Sequence, residues 1–148
     1  MGRGSSEALE QAALSFLSGI DPELGLDAAL FVRRTGLVLA SWTREGIRLD
    51  VVSVMAATML ASVDTIIESI GGPTPEVISV DTDAHQIVAM RVNSRGFLVI
   101  IAPKMVGRTV VRRTMRALNA RLAAAASKST HPHVEETEKQ RVNVRPPR

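Results

Sequence analysis

Apolar positions recur at helical spacing in the first stretch of the chain, where Leu9, Ala13, Phe16, Leu17 and Ile20 fall on one stripe. Ser6 can cap this element, Glu7 and Glu10 suit its positive end, and Gly19 can close it, so a helix is predicted over Ser6–Gly19. Asp21–Gly25 breaks the pattern. Ala28–Arg33 and Leu37–Trp42 follow as two strands around Arg34-Thr35-Gly36, with Gly36 free to take the positive φ of a tight hairpin. Both strands are apolar on both faces, as in a sheet covered on both sides. Leu49–Ile70 predicts a long helix stopped by Gly71-Gly72-Pro73. Three short strands are predicted at Glu76–Val80, Gln86–Val92 and Phe97–Ala102, separated by polar turns. A last helix spans about Val106–Ala126.

The order helix, strand, strand, helix, three strands, helix argues for an α+β fold. A five-stranded antiparallel sheet would carry the middle helix on one face and the terminal helices on the other. The domain occupies residues 1–126. The polar segment 127–148 has too little apolar surface to offset ordering entropy and is expected to be disordered.

Asp50, Asp64 and Glu68 are the charges of Leu49–Ile70. At about 100° per residue they share one stripe, Glu68 aligned with Asp50 and Asp64 about 40° to its side. Ala57 and Ala61 lie between them, and Thr58, Ser62 and Thr65 border the stripe. A broad apolar arc lies opposite, wider than the roughly 100° that a helix covering one sheet needs. The excess predicts a second burial surface, most simply the same helix of another subunit. The candidate dimer interface is Met55, Ala56, Met59, Leu60, Val63 and Ile67, the methionines being adaptable contacts. Val77 and Ser79 join it if Glu76–Val80 is an edge strand that pairs across the two-fold axis.

Hydrophobic residues make up 45% of the 148 residues and charged residues 22%, enough apolar material for one domain core. Cys is absent, which excludes disulfides, thiolate metal sites and a Cys nucleophile. Met1–Ser6 leads into Glu7 and Glu10, so no signal peptide is expected, and Asp64 and Glu68 break the longest apolar run, so no membrane span is expected. A cytoplasmic location fits. The pI of about 10.2 sounds like nucleic acid, yet the net charge is only +3. Arg108, Arg112, Arg113 and Arg116 line one side of the last helix, where a solvated face is the plainer reading.

Phosphate-cradling glycine motifs are missing. His131 and His133, the Asp81/Asp83 turn and the scattered Ser, His and Asp residues form no persuasive metal site or catalytic triad. No catalytic, cofactor-binding or metal residues are assigned, and no cofactor is expected. Trp42, at a strand end, is read as a core or rim residue.

The hairpin Ala29–Trp42, with its polar-Gly turn and apolar return strand, resembles the Roadblock / dynein light chain family. So does Gly96-Phe97-Leu98-Val99-Ile100-Ile101-Ala102, followed by Gly107 and an Arg-rich helix. The resemblance covers roughly Ser6–Ala126, and fits a small-GTPase regulatory member of the prokaryotic type. One departure is the turn at Arg34-Thr35-Gly36, where the family often carries an acidic residue. The resemblance implies a profilin-like layered sandwich that forms homodimers, or heterodimers with a second Roadblock-like chain. It also implies paired middle helices that serve as a platform for a Ras-like small GTPase, some members stimulating hydrolysis without supplying catalytic residues. On this analogy the docking surface is Asp50, Ala57, Thr58, Ala61, Ser62, Asp64, Thr65 and Glu68. The alternatives are a structural adaptor for a non-GTPase assembly and, ranked last, a nucleic-acid-binding domain using the last helix.

Overall fold

The computed structural model describes residues 2–92 and 96–143; at 2–6, 9 and 126–143 it describes the backbone alone. The elements run α1 (Gly2–Ser18), a short 3-10 turn (Pro22–Leu24), β1 (Ala28–Arg33), β2 (Val38–Thr43), α2 (Leu49–Ser69), β3 (Val77–Asp81), β4 (His85–Arg91), β5 (Gly96–Pro103) and α3 (Arg108–Asn143). Each predicted strand lies within two residues of its observed bounds. The break at Asp21–Gly25 is the 3-10 turn, capped by the Asp21 carboxylate accepting from the Glu23 N–H and closed by Gly25 at φ +76°. Gly36 takes the predicted positive φ, +94°.

All five strands join one antiparallel sheet in the order β2-β1-β5-β4-β3. β3 is therefore an edge strand, as expected. Alternate side chains of the central strands feed two separate cores. Ala29 and Phe31 of β1, with Leu98, Ile100 and Ala102 of β5, meet Ala13 and Leu17 of α1 and Val111, Met115, Leu118 and Leu122 of α3. Leu30, Val32, Phe97 and Val99 point the other way, to Ala56, Ala57 and Leu60 of α2. The terminal helices thus share one face and the middle helix covers the other.

α2 ends as its sequence requires. Gly71 at φ +75° donates to Glu68 O and Gly72 to Ile67 O, the paired bonds that close a helix on a left-handed residue. The backbone of α3 continues past 126 to Asn143. Residues 144–148, the end of the segment expected to be disordered, lie outside the described residues.

A candidate docking face on α2

Which way α2 faces decides what it can do. Ser53, Ala56, Ala57 and Leu60 are its buried residues, three of them small. Small side chains let a helix axis lie close to a sheet. The same closeness brings the β1–β2 turn against the helix: a Cβ on Gly36 would stand 3.2 Å from Val54 Cα. Gly36 is therefore needed twice, for the left-handed turn and for this contact.

The side of α2 away from the sheet carries no charge. Val51 (43% exposed), Val54 (47%), Met55 (58%), Ile66 (60%) and Ile70 (75%) stand open beside Thr58, Ser62, Thr65 and Ser69. A helix face that meets only water normally carries charged residues. Several of the hydroxyls are turned inward: Thr58 Oγ1 donates to Val54 O at 2.9 Å, Thr65 Oγ1 to Ala61 O at 3.0 Å, and Ser69 Oγ to Ile66 O at 2.7 Å. Helix carbonyls thus satisfy these donors, and the face is less polar than its composition.

The predicted interface residues separate on this basis. Met55 is exposed, and Met59, Val63 and Ile67 are half-buried beside it, while Ala56 and Leu60 are consumed by the sheet of their own chain. Of the edge-strand residues, Val77 packs toward the α1–α3 core and the exposed Ser79 shares its strand parity; Ile78 and Val80 face α2.

The charged stripe also needs correction. Asp50 is exposed, 3.7 Å from Arg48, and Glu68 is exposed. Asp64 instead turns half-buried toward the sheet and pairs with Arg91 of β4, whose Nε also donates to Pro75 O at 3.1 Å. Ala57 is buried beneath the helix. The apolar arc was broad enough that periodicity alone misplaced its centre. Small residues face the sheet, so Asp64 sits at the sheet margin.

The exposed docking candidates nonetheless come together. Thr58, Ala61, Ser62 and Thr65 line a cleft of about 580 Å³ with Arg34 and Thr35 of the β1–β2 turn. Ala61, Asp64, Thr65 and Glu68 line an adjoining hollow of about 290 Å³ with Arg34, Arg91 and Phe97. Asp50 belongs to neither. Sequence reading missed Arg34 as part of this surface; its only signal was the departure at that turn.

Other chemistry is structural. Buried Asp27 accepts from Arg44 Nε at 2.6 Å, tying the start of β1 to the chain just after β2. Among the described residues no group of His, Cys, Asp or Glu could hold a metal ion. Trp42 is half-buried against the α1–α3 core, as a rim residue. By length and composition alone α2 is long and apolar enough to cross a membrane, with a mean hydropathy of 1.6. Its inner side is nonetheless committed to the sheet and to the Asp64–Arg91 pair.

The Roadblock/LC7 domain family model matches residues 17–102, more than half of the chain. No curated protein matches in sequence. Solved structures do match. MglB of Myxococcus xanthus superposes with a TM-score of 0.69 at 13% identity, covering 84% of this chain and 92% of that one. A Roadblock/LC7 domain from Streptomyces avermitilis gives 0.57 at 15% identity, covering 85% and 97%. A Schizosaccharomyces pombe profilin gives 0.54 at 14% identity, covering 76% and 97%. At such identities these likenesses establish the fold, a profilin-like sandwich.

Proposed function

The chain belongs to the Roadblock/LC7 domain family, and on that premise we propose that it is a non-catalytic regulatory domain that dimerises through α2 and presents a platform to a Ras-like small GTPase. One observation carries the reading: the part of α2 turned directly away from the sheet, with exposed Asp50 and Glu68 off to its flank, is uncharged and open at Val51, Met55 and Ile66. Two such faces placed side by side would bury each other around a two-fold axis. Edge strand β3 offers its free backbone groups on the same molecule, so two sheets could join there. The clefts under Arg34, with Thr58, Ala61, Thr65 and Glu68 on their walls, then flank the paired helices and supply the polar rim of a docking site. Such a domain acts by holding a GTPase's own switch segments, so it needs no nucleophile or metal.

The test combines mass and partner. Light scattering should give twice the chain mass, and a small GTPase should co-purify from the native host. Ala61→Trp, at an exposed position, should remove the GTPase and leave the dimer intact. If no small GTPase of the host binds, and hydrolysis and exchange rates stay unchanged on mixing, the regulatory reading is lost. A non-GTPase partner that survives nucleotide removal would put the adaptor reading in its place.

A further inference from the structure

The opposite face of the molecule carries a second, chemically different surface. No Asp or Glu occurs between Asp83 and Glu135, so the packed part of α3 is acid-free. Arg112, Arg113, Arg116 and Arg121 are exposed along it, and among the described residues none of the first three has an acidic partner. Arg108 is different, since Asp81 neutralises it. A purely solvated helix would be expected to mix the two signs, because like charges a turn apart repel.

Beside these arginines, α1 and α3 part to leave a hollow of about 400 Å³. Its apolar lining comes from Phe16, Ile20, Leu24 and Ala117, and Arg113 and Arg121 stand at its edge. Ile20 is buried and Phe16 and Leu24 are half-buried, whereas both arginines are exposed with Ala117 at the rim, so the floor of the hollow lies below the cations. The Arg121 guanidinium lies 5.6 Å from the Phe16 ring centroid, which holds one of the cations over the hollow. Asp21 also lines the hollow, but one of its oxygens is engaged by the Glu23 N–H.

We propose that this α1–α3 cleft docks an acidic peptide segment of a partner protein, placing an apolar side chain in the hollow and carboxylates on Arg113 and Arg121. The shape selects this occupant among polyanions. A phosphate backbone would use the arginines and leave the hollow empty, and the one aromatic ring here is already covered by a guanidinium, so bases have nothing to stack on. A membrane requires large apolar groups that project, whereas Phe16, Ile20 and Leu24 are buried or half-buried and only small Ala117 is exposed. An acidic peptide satisfies both halves at once, through charge-assisted bonds at the edge and apolar burial within. The site lies across the sheet from α2, so it stands whether or not the dimer platform does.

The test is selection from a random short-peptide display library on the full chain. Enriched peptides should carry a bulky apolar residue flanked by Asp or Glu. A synthetic copy should bind the parent and lose about tenfold or more in affinity against Arg113→Glu/Arg121→Glu. Ala117→Trp, which fills the hollow without changing charge, should weaken binding comparably. All three positions are solvent-exposed, and unchanged thermal melts would confirm folding. The proposal is overturned if nothing is enriched, if the enriched peptides lack acidic residues, or if either variant binds as the parent does. Binding of duplex DNA or anionic phosphatidylglycerol vesicles without peptide enrichment, abolished by the double reversal, would also overturn it.

Discussion

The two faces of the sheet are covered to very different depths. On one side α1 and α3 pack together and leave Leu17, Val111, Met115, Leu118 and Leu122 at 0–1% exposure. On the other, α2 lies alone; Leu60 is its one large buried side chain, and Met55 and Ile66 are more than half exposed. Both faces use similar residue types. The number of covering helices, not hydrophobicity, decides which residues become core and which remain available for another chain. One helix cannot hide an arc as broad as that of α2, whereas two helices seal each other's flanks.

Four substitutions would break or sharpen this contrast. Leu118→Ala, in the sealed layer, should cost roughly 2–5 kcal/mol of folding free energy by urea unfolding, because it leaves a cavity among fully buried neighbours. A cost under about 1 kcal/mol would show that layer to be looser than described. Gly36→Val should cost about 2 kcal/mol or more, since it puts a β-branched residue at φ +94° and crowds Val54. The loss should exceed that of an alanine placed at exposed Thr35.

Arg91→Ala should cost about 1–2 kcal/mol, as it leaves the half-buried Asp64 carboxylate without its partner. Combining it with Asp64→Asn should recover part of that loss, and strict additivity would refute a direct coupling. Met55→Lys should move the stability of dilute single chains by no more than about 0.5 kcal/mol. It should also abolish any rise of the melting temperature with protein concentration, the signature of assembly through the open face. A variant that still gains stability on concentration would place the self-association elsewhere.

Local rules reach the elements but not all of their surroundings. Apolar spacing locates α2, and Gly71-Gly72-Pro73 ends it within one residue of the observed bound. The dual-face pattern of β1 and β5 calls correctly for helices on both sides of the sheet. On the candidate site, Thr58, Ala61, Ser62, Thr65 and Glu68 are exposed as expected, while Ala56, Ala57 and Leu60 are spoken for by their own sheet.

The sequence by itself determined the kind and order of the elements, the turn at Gly36 and the excess apolar surface of α2, because these depend on spacing and on backbone preferences of neighbouring residues. Tertiary structure alone decided the rotation of α2 about its axis. Periodicity fixes the angles between side chains on one helix and leaves open which of them meets the sheet. Small Ser53, Ala56 and Ala57 give the closest approach, so they turn inward, draw Asp64 to Arg91 and swing Met55 and Ile66 outward. The same packing brings Arg34 of a distant turn over the helix, a contact that no run of neighbouring residues encodes.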